Sequence, residues 1–163
     1  MKNICLLLIV LFSCKQKENK QIDPNQTFFE LSLNEKLKFE SSFSECGEWG
    51  GHNESIIIYS KGESVFYIDY MKTQVDCNKR DENGHPIQTP KIEKTIKINE
   101  ENKKSLFDYI KRMAISKTEE SFSGNYGNTF IVSKSDGSLF IKVYDNNKYN
   151  VTSYNTLLGE LKL

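Results

Sequence analysis

Alternation between apolar and polar residues constrains the fold of this chain more than any other feature of its sequence. Two stretches, Ser55–Ser60 and Glu63–Val75, are rich in Ile, Val, Phe and Tyr. Two more, Thr27–Phe43 and Lys91–Ile98, place apolar side chains at about every second position. That period is typical of β-strands with one buried face. Gly62 lies between the first two stretches, where it can supply the positive φ of a tight hairpin turn. The stretches therefore predict antiparallel strands of one sheet.

One amphipathic helix is predicted after these strands. Asn99 can cap it, and Glu100 and Glu101 in its first turn suit the positive end of the helix dipole. Apolar residues then recur at helical spacing: Leu106, Phe107, Ile110, Met113 and Ala114. We expect this helix, at about residues 99–116, to cover one face of the sheet, because that face would otherwise stay in water.

The last third of the chain predicts a second hairpin, a further strand and a short helix. Asp136-Gly137 separates two alternating stretches, Thr129–Ser135 and Ser138–Tyr144, and is a hairpin signal. A turn then leads into a strand at Tyr149–Tyr154, and Asn155 can cap a short final helix.

The predicted fold class is α+β, with residues 27–163 forming a single domain. Its core is one antiparallel, curled β-sheet of six to eight strands with the amphipathic helix packed on it. Asp76–Pro90 interrupts the alternation with Asn, Asp, Gly and Pro residues and predicts a long surface loop.

The first residues of the chain have the pattern of a secretory signal peptide. A positively charged start, Met1–Asn3, is followed by nine apolar residues, Ile4–Phe12, and then by a strongly polar segment. A transmembrane helix needs about 20 apolar residues. The sequence therefore predicts export, with residues 1–13 removed.

The end of this segment, Leu11-Phe12-Ser13-Cys14, resembles the lipobox of bacterial lipoproteins. The resemblance implies that Cys14 carries lipid and anchors the protein to a membrane of the bacterial cell envelope. The resemblance also implies the outer membrane rather than the inner, because Lys15 and not Asp follows the cysteine. Residues 14–26 are rich in Lys, Gln, Asn and Glu, and predict a flexible tether.

Two cysteines, Cys46 and Cys77, remain once Cys5 leaves with the signal peptide and Cys14 takes lipid. An even pair of cysteines in an exported protein favours a disulfide bond. This bond would attach the glycine-rich stretch after Cys46 to the region around Cys77.

The stretch Cys46–Glu54 gathers the only Trp of the chain, three of its nine Gly and one of its two His. Trp49, His52 and Tyr126, which lies in another glycine-containing segment, could form a surface that binds a glycan or a protein. The simpler interpretation is that Trp49 folds back as a lid on the end of the sheet, with the glycines forming its turns.

Enzyme and metal motifs are missing from the sequence. It has no Gly-x-Ser-x-Gly, no His-Glu-x-x-His and no phosphate-binding glycine loop. A zinc site can be assembled from Cys46, His52, Cys77 and His85, but their spacing lacks the close pairs of structural zinc sites. We therefore predict no catalytic residues, no metal and no cofactor.

The function predicted from these observations is a membrane-anchored, non-enzymatic binding module with a protein or glycan partner. The chain has 22 basic and 22 acidic residues, so no positive surplus favours nucleic acid. Two alternatives stay open. One is a hydrolase or metal-dependent enzyme centred on Glu48, His52 and Glu54, and the other is a purely structural surface lipoprotein.

Overall fold

The computed structural model describes residues 34–62, 65–119, 127–145 and 149–163. The signal peptide, Cys14, the tether and Tyr126 lie outside these residues, so the predictions about them remain predictions. The elements, in chain order, are β1 (Lys36–Ser42), β2 (Asn53–Ser60), β3 (Phe66–Arg80), β4 (Pro86–Lys97), α1 (Glu100–Thr118), β5 (Asn128–Lys134), β6 (Phe140–Asp145) and α2 (Tyr149–Leu161).

The strands form one open antiparallel sheet in the order β4-β3-β2-β1-β5-β6, and the α+β prediction is confirmed. Both helices lie on the same face of the sheet, where they pack against each other and against β6. The far end of α2 reaches β4, where the Lys94 ammonium donates a 2.6 Å hydrogen bond to the carbonyl of Lys162.

The core lies between this face of the sheet and the two helices. Alternate residues of β1, β2, β5 and the first half of β3 point into it, as expected for strands with one buried face. The strands contribute Leu37, Phe39, Ile56, Ile58, Ile68, Tyr70, Phe130, Val132 and Val143. The helices contribute Leu106, Tyr109, Ile110, Met113, Tyr154, Leu157 and Leu161. Burial of these apolar surfaces is the main force holding the two layers together.

The helix predicted at about residues 99–116 is confirmed, together with its cap. The side chain of Asn99 accepts a 2.8 Å hydrogen bond from the backbone of Asn102, whose side chain accepts one of 3.1 Å from the backbone of Asn99. This reciprocal pair satisfies donors that the first turn of a helix leaves without partners. Within the described parts of the chain, no helix is long and apolar enough to cross a membrane.

The long surface loop predicted at Asp76–Pro90 is wrong. β3 continues to Arg80 and β4 begins at Pro86, so the connection is only residues 81–85. Asp81 closes this turn by accepting backbone hydrogen bonds from Asn83 and His85. The outer half of the β3–β4 hairpin is largely exposed on both faces, so its residues need no apolar alternation, and Pro90 is tolerated because β4 is an edge strand.

The strand predicted at Tyr149–Tyr154 is also wrong, because α2 runs without interruption from Tyr149 to Leu161. Asn155 lies inside this helix and caps nothing. Three residues of the predicted strand, Asn150, Ser153 and Tyr154, belong to a buried stripe that continues at Leu157 and Leu161 with helical spacing.

Of the two predicted hairpin turns, one is confirmed. Residues 135–139 join β5 to β6 around Asp136-Gly137, and Gly137 has φ 78°. Between β2 and β3 the connection is longer than the predicted two residues, since β2 ends at Ser60 and β3 begins at Phe66.

Candidate functional site

The disulfide predicted between Cys46 and Cys77 is confirmed, with 5.4 Å between the two Cα atoms. It joins the segment between β1 and β2, residues 43–52, to the outer half of β3. We call this segment the β1–β2 loop. Because Cys77 lies beyond the part of β3 that pairs with β2, the bond fixes the loop beside the exposed half of the β3–β4 hairpin.

Backbone contacts close the β1–β2 loop on itself. The amide of Phe43 donates to the carbonyl of His52 at 3.0 Å, and the amide of Cys46 donates to that of Gly50 at 2.7 Å. Gly50 has φ 86°, a conformation in which a side chain would be strained. At Gly51 a Cβ atom would lie 2.6 Å from the carbonyl oxygen of Phe43 and 2.8 Å from the nitrogen of Glu45. Both glycines are therefore required by the shape of the loop.

A polar cluster attaches the loop to the sheet. His52, at the end of the loop, contacts the carboxylate of Glu45 through Nδ1 and that of Glu54, in β2, through Nε2. Its ring also stacks on Phe43, with 4.2 Å between centroids. Tyr70 and Lys72 on the neighbouring strand β3 complete the group. We call these five polar residues the Glu54 cluster: Glu45, His52, Glu54, Tyr70 and Lys72.

The carboxylate of Glu54 is nearly fully buried and accepts from three side chains. Lys72 Nζ lies 2.6 Å from its Oε1, the Tyr70 hydroxyl 2.7 Å from its Oε2, and His52 Nε2 3.0 Å from its Oε1. Burial alone would raise the pKa of Glu54, but the hydrogen bonds from Lys72, Tyr70 and His52 outweigh it, so the pKa is lowered. Glu54 is therefore held as a carboxylate.

The same contacts limit what the cluster can do chemically. Both ring nitrogens of His52 are occupied by contacts with carboxylates, Nδ1 with Glu45 and Nε2 with Glu54. Burial and the adjacent Glu54 carboxylate raise the pKa of Tyr70, which keeps its hydroxyl protonated. Glu48, the third residue of the enzyme alternative, is exposed in the turn Gly47–Trp49 and takes no part in the hydrogen bonds of the cluster.

The described residues offer no candidate metal site. They contain no group of three or more His, Cys, Asp or Glu side chains placed to hold an ion. Cys46 and Cys77 are joined to each other, so their sulfurs are not available as thiolate ligands.

Trp49 lies on the surface of the loop, with 58% of the residue exposed. The expectation that it folds back as a lid is therefore wrong. The guanidinium of Arg80, the last residue of β3, lies 4.9 Å from the centroid of its ring. His52, by contrast, has only 14% of its side chain exposed and faces the cluster. The structure thus separates two residues that the sequence had placed in one surface.

Several residues at this end of the molecule could not be identified from the sequence. Arg80 belongs to a segment predicted to be a loop, and Glu45, Tyr70 and Lys72 carry no motif. Glu54 and Lys72 are direct cross-strand partners, so a correct hairpin register would have placed them together.

No protein-family model matches the chain, and no curated protein matches it at a significant level.

Proposed function

We propose that this protein is a lipid-anchored protein of the bacterial cell envelope whose folded domain is a non-enzymatic binding module for a protein partner. The observation that carries the proposal is the exposure of Trp49 in a loop that is otherwise fixed. A disulfide, two backbone hydrogen bonds across the loop and the Glu54 cluster hold its surroundings. A rigid, exposed aromatic residue contributes contact area to a partner at low entropic cost.

The neighbours of Trp49 favour a protein partner over a glycan. Arg80 stacks on its ring. Arg80 is also the cross-strand partner of Pro86. The next residue of β4, Ile87, is 38% exposed. Trp and Arg are enriched among the residues that dominate protein–protein binding. The stacked guanidinium also occupies one face of the indole, which a sugar ring would otherwise use.

We call the surface formed by Trp49 and Arg80 the Trp49 corner. Its position suits a protein that is attached to a membrane through its N-terminal end. The described chain enters β1 at Lys36 and reaches the β1–β2 loop after Ser42, about 20 Å further along the strand. β3 runs in the same direction as β1 and continues past the start of β2 to Arg80. Trp49 and Arg80 therefore lie at the opposite end of the sheet from the start of β1.

The non-enzymatic part of the proposal is supported by the contacts of His52 and Glu54. Both ring nitrogens of His52 face carboxylates, and the Glu54 carboxylate is buried under three donors. Such a set supports a structural role, in which the cluster fixes the loop that presents Trp49.

Affinity capture from crosslinked envelopes tests the proposal. We expect the tagged wild-type protein to capture one stoichiometric protein partner and Trp49→Ala to lose most of it. Tyr149→Ala is the matched control, because it removes another exposed aromatic side chain, at the start of α2 and outside the β1–β2 loop. Equal capture by wild type and Trp49→Ala would overturn the proposed surface, and retention on peptidoglycan or lipopolysaccharide alone would favour a glycan.

The anchor has a test of its own. We expect radiolabelled palmitate to be incorporated by the wild-type protein and not by Cys14→Ser. Labelling that persists in Cys14→Ser would contradict lipidation at this residue without bearing on the surface around Trp49.

A further inference from the structure

Two tyrosines lie side by side on the face of the sheet that is turned away from both helices. Tyr59 of β2 and Tyr67 of β3 are direct cross-strand partners. The centroids of their rings are 6.0 Å apart, with 24° between the ring planes. Lys36 of β1 is the partner of Tyr59, and Lys97 of β4 is the partner of Tyr67. One row across four strands therefore consists of two tyrosines flanked by two lysines.

A third lysine lies over this row. Lys61, in the turn after β2, has its ammonium nitrogen 4.7 Å from the centroid of the Tyr67 ring and 5.6 Å from that of the Tyr59 ring. The rings attract this cation but carry no charge that could neutralise it. We call these five residues the lysine–tyrosine patch: Lys36, Tyr59, Lys61, Tyr67 and Lys97.

The lysines of the patch are not neutralised by carboxylates. None of the three forms an ion pair with a residue that the structure describes. Asp69, in the next row of the sheet, accepts hydrogen bonds from the hydroxyls of Tyr59 and Thr95 at 3.2 and 2.7 Å. Lys38 lies in that same row and balances its charge. The two rows together therefore keep a positive surplus.

The charge of this face changes sign further along the strands. Glu40 and Glu93 share the row that follows Asp69. Glu40 lies four residues beyond Lys36 on β1, which is about 13 Å along the strand. Salt screens exposed charges over about 8 Å. The positive charge is therefore concentrated at the end of the sheet where β1 begins.

We propose that the lysine–tyrosine patch docks on the anionic headgroups of a lipid bilayer. Its charge selects an anionic partner. It is spread over four adjacent strands, about 14 Å, which suits an extended surface better than a single small ion. Lysine and tyrosine both combine an apolar body with a polar end, and this combination suits the boundary between headgroups and water. The anchor proposed above would keep the patch near such a bilayer.

Sedimentation of the full chain with lipid vesicles tests the proposal. Every protein used carries Cys14→Ser, so that the proposed acyl chains cannot attach it to the bilayer. We expect stronger binding to vesicles of phosphatidylcholine mixed with anionic phosphatidylglycerol than to phosphatidylcholine alone, and weaker binding as salt is added. Lys36→Gln with Lys97→Gln should weaken binding to the anionic vesicles about tenfold or more, because each lysine near such a surface contributes about fivefold.

Lys104→Gln with Lys111→Gln is the matched control. It removes the same charge from α1, on the other face of the sheet, and should change binding little. Equal binding to neutral and anionic vesicles, or binding to neither, would overturn the proposal. Equal losses in the two double variants would also overturn it, because net charge and not the patch would then govern binding. Binding to soluble polyphosphate without binding to vesicles would assign the patch to a different anion. All these variants keep Trp49, so none of these results bears on the proposed protein-binding surface.

Discussion

Glu54 is a carboxylate on a strand face that otherwise carries the buried isoleucines Ile56 and Ile58. Burying a charge is costly unless partners compensate for its lost hydration. Lys72, Tyr70 and His52 supply that compensation. Because His52 belongs to the β1–β2 loop, the charge of Glu54 also binds the loop to the sheet.

The lowered pKa of Glu54 makes a prediction about stability and pH. At neutral pH, Glu54→Gln should lower the free energy of unfolding by about 2 kcal/mol, because it removes the charge that Lys72 and His52 are paired with. Since the folded pKa lies below the unfolded value, the contribution is present above the unfolded value, near 4.5, and is lost as the pH falls through the folded pKa. Denaturant unfolding at several pH values measures both effects.

Glu40→Gln is the matched control for this prediction, because Glu40 is an exposed carboxylate on the adjacent strand β1. It should change stability by less than about 0.5 kcal/mol. A difference between wild type and Glu54→Gln that stays constant from neutral to acid pH would mean that the charge of Glu54 does not stabilise the fold.

The close packing around Gly51 leads to a second prediction about stability. Gly51→Ala should destabilise the protein by about 1–3 kcal/mol, because the new Cβ would press on the backbone of Phe43 and Glu45. Gly159→Ala, in α2, is the control, since nothing lies within 4 Å of its Cβ position. That variant should be neutral or more stable by up to about 1 kcal/mol, because alanine favours the helix. Thermal unfolding compares the two variants. Equal melting temperatures would show that the loop accommodates a Cβ atom at position 51 without loss of stability.

Among the elements, the β3–β4 hairpin and the β1–β2 loop depend on each other. The outer half of the hairpin buries little of its own surface, and a two-stranded ribbon is marginal in water by itself. The Cys46–Cys77 bond joins it to the loop across a sequence separation of 31 residues. The loop thus stabilises the hairpin, and the hairpin fixes the position of the loop that carries Trp49.

Replacing both cysteines tests this dependence. Cys46→Ser with Cys77→Ser should lower the free energy of unfolding by about 2–4 kcal/mol. In hydrogen–deuterium exchange, residues 43–52 and 76–90 should lose protection, while β5 and β6 should keep theirs, because their pairing does not involve the bond. A uniform loss over the whole sheet would instead indicate that the disulfide stabilises the domain globally.

The same elements show how far the sequence alone can predict the fold. The strand β1 was found because its buried residues Leu37 and Phe39 alternate with the polar residues Lys38 and Glu40. The outer half of the hairpin was missed because strands exposed on both faces need no such pattern. α2 was taken in part for a strand because Tyr149 and Val151 satisfy a period of two, and only packing on the sheet selects the helix.

Of the candidate site, only the disulfide bond could be predicted from the sequence. The export signal and the count of cysteines are enough to pair Cys46 with Cys77. The Glu54 cluster depends on the register of β2 against β3, which pairs Glu54 with Lys72. A two-residue turn at Lys61-Gly62 gives a different register, so the salt bridge could not be anticipated. Trp49 contacts Arg80, a residue distant in sequence, so the residues around Trp49 do not show on their own how its ring is placed.

At the scale of the whole molecule, the open sheet serves as the frame for the proposed binding surface. The Cys46–Cys77 bond fixes the β1–β2 loop beside the outer half of β3, so Trp49 and Arg80 lie together at one end of the sheet. We propose that this end of the molecule meets the partner.

Site-specific photo-crosslinking in intact cells tests the binding role of the Trp49 corner. A photoreactive phenylalanine analogue is introduced at position 49, or at position 40 as an exposed control on β1, and crosslinked products are identified by mass spectrometry. We expect one protein partner to be crosslinked from position 49 and not from position 40. If position 49 yields no protein adduct, or the same products as position 40, the corner formed by Trp49 and Arg80 is not a protein-binding surface.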